Sequence, residues 1–385
     1  MSRRLLDKNF CVLPWTGFEL EPNGNVKNCI ISKDTIGNIH QNNIEDILQS
    51  KANLNIKTQM LNNEFPKNCE GCYYQEQHRP KNFDNISSRL YYAKEIGPRI
   101  DKGLLDSKNN FNLKHVDIRW NNKCNQACVY CGPEYSSKWE KELGIKQKFE
   151  KENVEKVKEY VFKNIKNLEN VYLAGGEPLL MNENKEFLEL LLKENKDVHI
   201  RVNTNLSSTG TGVFQLLCQF KNVHWTISVE SIEEEYEYIR YHASWNNFLR
   251  NLKYIQTLNH KISFNMLYFI LNYKSIFNCV DLLQKTGFHK NSFILGPLTS
   301  PLFLNVRHLP KNIKDEIITI FKNKIAEQPG FYLQNSLENC LKYLTDGGFN
   351  ATIDKVLKGI KEMDKRRNLD SRKVFPKLYE EVLNG

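Results

Sequence analysis

Three cysteines, Cys124, Cys128 and Cys131, lie within eight residues of one another in the run Lys-Cys-Asn-Gln-Ala-Cys-Val-Tyr-Cys. Soft thiolate ligands at such close spacing select iron–sulfur clusters, zinc or copper(I). A closed structural zinc site takes four ligands, and a cubane iron–sulfur cluster takes four cysteines. Because this run offers three thiols and neither a histidine nor a fourth cysteine lies nearby, it predicts a cluster with one iron open to a ligand that is not protein.

A second segment with chemical potential is Gly175-Gly176-Glu177-Pro178, which follows the next strand pattern after the cysteine run. Glycine lets a backbone approach a ligand closely and adopt strained angles. Such a run is by itself a common turn, so its value as evidence for a ligand site comes from its position in the sequence.

Four further cysteines form a complete ligand set near the N-terminus: Cys11, Cys29, Cys69 and Cys72. Residues 18–27 have the pattern of a hairpin, because Asn23-Gly24 suits a tight turn with positive backbone dihedrals. Antiparallel pairing across this hairpin brings its flanking cysteines together, and the Cys-x-x-Cys pair follows a helical pattern at about 44–61. Such pairs are typical zinc ligands, so zinc and an iron–sulfur cluster both stay open at this point. The remaining cysteines, Cys218, Cys279 and Cys340, are isolated on helical patterns and receive no role, since free cysteine is often a small buried apolar residue.

Strand and helix patterns alternate between residues 112 and 297, which predicts an α/β fold with a parallel sheet. The predicted strands are 114–120, 170–174, 198–203, 224–229, 262–269 and 292–295, and the predicted helices are 150–166, 183–194, 212–220, 245–258 and 276–285. Six such units fit a partial (β/α)6 TIM barrel, in which ligands bind at the C-terminal ends of the strands. The cysteine run, Gly175–Glu177, Asn203–Asn205 and Ser228–Glu230 all fall at such ends.

Three zones follow from these patterns. Residues 1–85 form a small α+β module with the four-cysteine set, residues 112–297 form the barrel, and residues 298–385 form a helical, polar region.

The C-x3-C-x2-C spacing and the Gly-Gly-Glu-Pro segment together resemble the radical S-adenosylmethionine (radical SAM) superfamily. In that family a 4Fe–4S cluster is held by the three cysteines, and its open iron binds the amino and carboxylate groups of SAM. Reductive cleavage of SAM then gives a 5′-deoxyadenosyl radical that abstracts hydrogen from a substrate. The resemblance implies SAM as cofactor and Cys124, Cys128 and Cys131 as ligands of the first cluster.

The resemblance also implies contacts with SAM at further positions. Tyr130 matches the aromatic residue that covers the adenine, and Gly175, Gly176 and Glu177 match the segment that holds the methionyl amino group.

The same resemblance also points to two more pairs of polar residues. Ser228 and Arg240 match a Ser-Leu-Asp-Gly…Tyr-Arg pattern that reaches the ribose and carboxylate of SAM, with Glu230 in place of the usual Asp and Ser231 in place of Gly. Arginine suits a carboxylate because its planar fork binds both oxygens. Asn203 and Asn205 match a Thr-Asn-Gly segment in which Leu206 replaces the glycine. Ordinary turn or capping roles stay open for all four of these residues.

The N-terminal cysteine set resembles the twitch module, a shortened SPASM domain that carries an auxiliary 4Fe–4S cluster. Here the module precedes the barrel, whereas it usually follows it. The resemblance favours iron–sulfur over zinc and implies electron transfer to or from the substrate or the SAM cluster.

The function implied is that of a radical SAM enzyme with two 4Fe–4S clusters. A peptide or protein side chain is the first choice of substrate, and dehydrogenation or rearrangement of a small aminosugar or nucleotide is the alternative. A non-catalytic zinc-binding adaptor is the rival from another class. The expected partners are the substrate and an electron donor such as flavodoxin or ferredoxin. Glu230, Tyr268 and His242 are candidate acids or bases near predicted strand ends, with capping or packing as the alternative for each.

Composition agrees with a globular chain of 385 residues, 40% hydrophobic and 26% charged. The formal net charge of +9 comes from scattered basic residues interleaved with Glu, so solubility is favoured over a nucleic-acid partner. The N-terminal residues show no apolar signal sequence, and no 18-residue apolar run predicts a membrane span. We therefore expect a cytoplasmic location, where ten cysteines indicate metal or redox chemistry rather than disulfides.

Overall fold

The computed structural model describes residues 9–77, 87–101, 103–147, 151–327, 332–346, 349 and 352–383. The chain divides into two compact units. The first comprises Met1–Cys124, Lys146–Asn203 and Thr209–His224, and the second comprises Asn125–Ile145, Thr204–Ser208 and Trp225–Gly385.

Nine strands are formed by the described residues: β1 Gly17–Leu20, β2 Asn25–Lys27, β3 Gly37–Asn38, β4 His115–Ile118, β5 Asn170–Leu173, β6 His199–Thr204, β7 Val223–Ser228, β8 Lys261–Tyr268 and β9 Phe293–Pro297. The helices in the same residues are α1 Leu13–Thr16, α2 Ile44–Leu48, α3 Lys51–Leu61, α4 Glu70–Gln77, α5 Ser88–Glu95, α6 Ser137–Leu143, α7 Lys151–Lys163, α8 Asn182–Glu194, α9 Gly212–Leu217, α10 Glu233–Ile239, α11 Trp245–Gln256, α12 Ile276–Lys285, α13 Lys311–Ala326, α14 Tyr332–Thr345, α15 Ile353–Arg367, α16 Ser371–Val374 and α17 Pro376–Leu378.

The strands of the first unit form a sheet in the order β3-β2-β1-β4-β5-β6. The two hairpin pairings, β1 with β2 and β2 with β3, are antiparallel. The pairings of β1 with β4, β4 with β5 and β5 with β6 are parallel. The prediction of an α/β fold with a mostly parallel sheet is therefore confirmed.

One face of this sheet is apolar and is covered by helices. Val116 and Val171 are fully buried on it, next to one another in register. Phe187 of α8 meets Trp120, which follows β4, at 6.5 Å between ring centroids and stacks on Phe162 of α7 at 5.9 Å. Because side chains alternate along a strand, the opposite face carries the intervening residues of each strand, and these are polar.

In the second unit, β7, β8 and β9 lie side by side, with β8 and β9 parallel. Phe264 and Phe293 are register partners whose rings stack at 5.3 Å. Helices α10 and α11 share an aromatic cluster in which Tyr236 lies 5.1 Å from Trp245. The C-terminal region is helical, as predicted, and Tyr238 of α10 donates a hydrogen bond of 2.8 Å to Asp364 of α15.

The boundaries of the predicted elements fall close to the observed ones, with several local differences. Helices α6 and α10 lie between predicted elements and were not predicted. The predicted helix at 44–61 is two helices, because Ser50 caps the second by accepting from the Asn53 amide while its hydroxyl donates to the Ile36 carbonyl. The hairpin is followed by a further short strand, β3, that the sequence pattern does not indicate. Residue 150, the predicted start of one helix, lies outside the described residues. The zones 1–85, 112–297 and 298–385 stay a prediction.

Among the described residues, none of the helices has both the length and the apolar character that crossing a membrane requires.

Candidate functional site

The four N-terminal cysteines line one small cavity in the first unit. The residues around this cavity are Cys11, Leu13, Cys29, Ile31, Ser32, Cys69, Cys72, Tyr73 and Arg89. No group of three or more His, Cys, Asp or Glu side chains within the described ranges is arranged to hold a single metal ion. The arrangement is thus a cavity walled by thiols.

Short elements bring these cysteines together. The β1–β2 hairpin, with Glu19 opposite Lys27, carries the chain back towards its start. A tight turn follows, in which the Ser32 amide donates to the Cys29 carbonyl at 3.0 Å. The next residues are tied to the segment before Cys69, because the Lys33 amide donates to the Asn68 carbonyl at 3.1 Å. Local hydrogen bonds therefore fix the spacing between the hairpin thiol and the Cys-x-x-Cys pair.

Electrostatics in this cavity disfavour bare thiolates. Burial raises the pKa of Cys29 to about 11, with a further contribution from Cys72. Burial, followed by charge repulsion from the other cysteines, also raises the pKa of Cys11 well above its usual value. Arg89 opposes this by lowering the pKa of Cys69 and Cys72, although burial dominates at both. Two of the four thiols are buried and two are half-buried. Their arrangement around one cavity, with the Arg89 cation beside them, fits a group that takes four thiolates and compensates their charge.

The second part of the cysteine run is held in the second unit by backbone hydrogen bonds. The Ala127 amide donates to the Tyr241 carbonyl at 3.0 Å, and the Val129 amide donates to the Ile239 carbonyl at 2.8 Å. The indole of Trp139 in α6 donates to the Cys128 carbonyl at 2.8 Å. Cys128 is buried and Cys131 is half-buried, so the loop is fixed while one thiol stays accessible. Cys124, also half-buried, is the last residue of the first segment of the first unit.

Arg240 and Glu230 form a bidentate buried pair beside Cys128. The Arg240 Nε and Nη2 atoms each donate to a Glu230 oxygen at 2.7 Å, and Nη1 lies 3.9 Å from the Cys128 sulfur. Burial raises the pKa of Cys128, and Arg240 acts in the opposite direction. The Arg240 guanidinium also lies 5.8 Å from the centre of the Tyr130 ring, whose edge meets Phe269. Both Glu230 oxygens are engaged by Arg240 in a buried ion pair, and an acid–base role for Glu230 stays a prediction.

The Gly-Gly-Glu-Pro segment packs directly on the backbone that leads into Cys124. A Cβ atom at Gly176 would lie 2.2 Å from the Lys123 carbonyl oxygen, and Gly175 has a φ of +111°. The Glu177 amide donates to the same Lys123 carbonyl at 2.8 Å. Only glycine at these two positions allows this approach, which places two motifs that are distant in sequence against each other. The Glu177 carboxylate is buried and accepts from the Leu179 amide at 3.1 Å.

The asparagines after β6 differ in their surroundings. The Asn203 Oδ1 atom is buried and has no hydrogen-bond partner among the described residues. Asn205 forms a local turn, since its Oδ1 accepts from the Ser207 amide at 2.9 Å and its amide group donates to Asn125 at 3.0 Å. These contacts are those of the local turn that was left open for Asn205, and a contact with SAM stays a prediction.

The other predicted residues lie as follows. Ser228 ends β7 and is half-buried. The Tyr268 hydroxyl donates to the Tyr273 carbonyl at 3.1 Å, and its ring meets Phe321 at 5.1 Å, so Tyr268 packs against the C-terminal helices. His242 is exposed, with a φ of +74°, and desolvation lowers its pKa. The contacts of Tyr268 favour the packing alternative. The geometry does not test an acid–base role for Tyr268 or His242, or a contact between Ser228 and SAM, and these stay predictions.

The sequence interpretation missed a set of charged side chains on the polar face of the first unit's sheet. Glu19, Asp117 and Arg119 are each at most 5% exposed. Arg119 binds Glu19 through Nη1 and Asp117 through Nη2, the latter at 3.2 Å. Polar residues alternate with apolar residues in the strand patterns, and this alternation could have indicated a polar face. It was missed because the apolar residues on the other face dominate the patterns.

Two family models match the chain. The radical SAM superfamily matches residues 118–283, and an iron–sulfur cluster-binding domain of the SPASM type matches residues 11–73. No curated protein matches the chain.

Solved structures show a distant similarity. The chain is 14% identical to native anSMEcpe with bound AdoMet and Cp18Cys peptide, with a TM-score of 0.40 over 54% of this chain and 58% of that one. It is 15% identical to SuiB of Streptococcus suis bound to S-adenosylmethionine, with a TM-score of 0.41 over 73% and 60% of the two chains. For SuiB bound to the precursor peptide SuiA the identity is 13% and the TM-score 0.40, over 72% and 63%. The chain thus spans less than two thirds of the length of these proteins.

The family matches agree with the motifs described above. An iron–sulfur cluster-binding domain covers all four N-terminal cysteines, and the radical SAM match covers Cys124, Cys128, Cys131 and the Gly-Gly-Glu-Pro segment. The cofactors of these domains are SAM and iron–sulfur clusters. The chain therefore contains a radical SAM domain, matched over residues 118–283, and a SPASM-like iron–sulfur module, matched over residues 11–73, that precedes it.

Proposed function

We propose that this enzyme cleaves SAM at a 4Fe–4S cluster bound by Cys124, Cys128 and Cys131 and modifies a peptide or protein side chain. A second 4Fe–4S cluster, bound by Cys11, Cys29, Cys69 and Cys72, serves electron transfer. When bound, SAM and a reduced cluster supply a 5′-deoxyadenosyl radical that abstracts hydrogen from the substrate.

The contact between the Gly-Gly-Glu-Pro segment and Lys123 carries this proposal. It brings the residues that match the family's ammonium-binding segment against the backbone that leads into the first cysteine of the run. Gly175 and Gly176 leave backbone groups accessible at close range, and Glu177 supplies the carboxylate for a charge-assisted hydrogen bond with the amino group of SAM.

Residues of the second unit orient and shield the reactants. The Tyr130 ring, supported by Phe269, offers an aromatic surface for the adenine and excludes water from it. Arg240 uses two of its donors on Glu230 and keeps Nη1 directed at Cys128, where its positive charge favours the thiolate form.

The support for a peptide or protein substrate is the SPASM match, since SPASM and twitch members often modify peptides and proteins. Anaerobically reconstituted protein, SAM and a reductant should yield 5′-deoxyadenosine. Deuterium transfer from labelled peptides into this product would support the peptide class, and transfer from an aminosugar or a nucleotide instead would contradict it.

Metal analysis separates the enzyme from a zinc adaptor. We expect about eight irons with matching sulfide per chain. Replacing Cys124, Cys128 and Cys131 by alanine should remove about half of the iron and abolish 5′-deoxyadenosine formation. Cys218→Ala, at an isolated cysteine, should retain both. Zinc without sulfide, or equal SAM cleavage by the triple variant, would refute the proposal.

A further inference from the structure

A row of charged and polar side chains crosses the polar face of the first unit's sheet. Register partners on successive strands are Lys27, Glu19, Asp117, Tyr172 and Arg201. Residues paired in this way lie on the same face, with neighbouring strands about 4.8 Å apart. β1, which belongs to the segment matched by the iron–sulfur domain, thus contributes Glu19 to the same surface as β4, whose last residue, Ile118, begins the segment matched by the radical SAM model.

Arg119 joins the two carboxylates at the centre of this row. It lies two residues after Asp117 and therefore on the same face. It hydrogen-bonds to Glu19 Oε1 and to Asp117 Oδ2, and its Nη1 atom lies 3.1 Å from Asp117 Oδ1. Glu19 and Asp117 are each 3% exposed, so water does not screen their charges.

The neighbouring cations in the described part of the chain are engaged elsewhere and do not hydrogen-bond to this pair of carboxylates. Burial raises the pKa of Glu19, and the charges of Arg119 and then Lys27 lower it. The amino group of Lys27 is, however, hydrogen-bonded to Glu21 at 2.9 Å. Arg201 lies one strand beyond Tyr172, with its guanidinium 5.4 Å from the centre of the Tyr91 ring and 3.4 Å from His224 Nδ1. Two buried carboxylates consequently share a single guanidinium. Burial raises the pKa of Asp117, and repulsion from Glu19 adds to this effect.

Two acceptor atoms of the pair lack a hydrogen bond. Both atoms are buried, and neither Glu19 Oε2 nor Asp117 Oδ1 has a hydrogen-bond partner among the described residues. Asp117 Oδ1 has the ion-pair contact with Arg119 at 3.1 Å, which does not have the geometry of a hydrogen bond. A buried carboxylate without full pairing costs several kcal/mol. A hydroxyl group could donate hydrogen bonds to these acceptor atoms but would leave the excess negative charge in place. A cationic nitrogen would both donate the hydrogen bonds and neutralise the charge.

We propose that Glu19 and Asp117 bind the positively charged nitrogen of the substrate, a primary ammonium or a guanidinium such as a lysine or arginine side chain presents. This inference rests on the proposed function and specifies its substrate class. The location supports it: the Arg119 Cβ atom lies 3.1 Å from where a Cβ at Gly175 would stand, so the arginine that joins the two carboxylates packs with the base of its side chain on the segment assigned to SAM. A bound cation would lie next to the site of radical formation and would hold a neighbouring carbon in place for hydrogen abstraction.

The alternative is that Asp117 keeps a proton and the row binds nothing. The two cases differ in ligand selectivity, so the test uses two capped pentapeptides, acetyl-Gly-Gly-Lys-Gly-Gly-amide and the same peptide with norleucine in place of lysine. Their affinities for the reconstituted full-length enzyme with SAM are measured by calorimetry.

We expect the wild-type enzyme to bind the lysine peptide about tenfold or more tightly than the norleucine peptide, as a desolvated charge pair would give. Glu19→Gln should remove most of this preference while SAM binding is kept. Glu169→Gln is the matched control, because Glu169 pairs with Arg99 at 2.7 Å before β5 and lies outside the row. The Glu169→Gln variant should prefer the lysine peptide over the norleucine peptide to the same degree as wild type.

Equal affinities of wild type for the two peptides would overturn the inference, and this result does not depend on the folding of any variant. A preference that survives Glu19→Gln in a folded variant would also overturn it. Failure of wild type to form 5′-deoxyadenosine would refute the proposed function instead, and it is measured separately without peptide.

Discussion

Arg240 illustrates how much a single residue depends on partners that its type does not reveal. Its position after Tyr238-Ile239 matches a family pattern, and arginine suggested a ligand carboxylate. In the structure the guanidinium binds Glu230 through two parallel hydrogen bonds and faces Cys128. An arginine predicts a bidentate contact with a carboxylate. Only the fold shows that the carboxylate it contacts here is that of Glu230.

Removing Arg240 should be costly because Glu230 would be left charged and buried. Breaking a buried pair in this way lowers the free energy of unfolding by about 3–5 kcal/mol. We predict this loss for Arg240→Gln in denaturant titrations of the full chain, with partial recovery in the Arg240→Gln, Glu230→Gln double variant. Lys166→Gln breaks an exposed pair with Glu194, and its free energy of unfolding should stay close to that of wild type. Equal losses for the two single variants would contradict the prediction.

A second prediction at the residue scale concerns Gly176. Its added Cβ in Gly176→Ala would meet the Lys123 carbonyl oxygen at 2.2 Å, and backbone cannot move aside as a flexible side chain can. We expect displacement of this loop at a cost of about 1–3 kcal/mol and weaker SAM binding in equilibrium titrations. Gly210→Ala is the control, since a Cβ there meets nothing within 4 Å. Undiminished SAM binding by Gly176→Ala would argue against the assigned role of the segment.

At the scale of elements, a C-terminal helix supports the cysteine loop of the second unit. Arg367 of α15 lies 4.7 Å from the ring centres of both Trp139 and Tyr241, and its Nε donates to Glu142 at 3.2 Å. Trp139 in turn holds the Cys128 carbonyl. The sequence interpretation placed no function in residues 298–385, and these contacts show that α15 fastens α6 and the loop that α6 supports.

This support predicts a large difference between two adjacent arginines. Arg367→Gln removes a buried cation from two aromatic rings and from Glu142, which should lower the free energy of unfolding by about 3 kcal/mol. Arg366→Gln changes a side chain that is 34% exposed and shares the same glutamate at 3.3 Å, so its cost should stay below about 1 kcal/mol. Thermal and chemical denaturation of the two variants would test this, and a smaller effect for Arg367→Gln than for Arg366→Gln would contradict it.

Most elements could be predicted because hydrophobic periodicity is a local signal. Helix α12 was predicted at its observed bounds, and β5 within one residue. The parallel pairing of β1 with β4 could not be predicted, because it joins segments far apart in sequence and leaves no local pattern. The row that contains Glu19 and Asp117 was missed for the same reason, because the two carboxylates meet only through the pairing of β1 with β4.

For the molecule as a whole, the two cysteine sets occupy structurally different settings. The Cys128–Cys131 loop is anchored by backbone hydrogen bonds, α6 and α15. The N-terminal set is held by short elements, with three residues in β2, two in β3 and four in α1. Small modules of this kind obtain part of their folding free energy from the metal they bind. We therefore expect loss of iron to affect the parts of the chain unequally.

Hydrogen exchange after iron removal should show this difference. Comparing anaerobically reconstituted protein with chelator-treated protein, we expect exchange at 11–32 and 67–77 to accelerate about tenfold or more, since ligand loss lowers the free energy of local opening. Strands β4 and β5, buried under α7 and α8, should keep their protection and serve as the internal control. The Cys69→Ser variant should reproduce the change at both segments without chelator, because the cavity would lose one of its four thiols. Unchanged exchange at 11–32 and 67–77 would mean that local hydrogen bonds alone hold the thiol cavity, and the metal-coupled account of this module would be wrong.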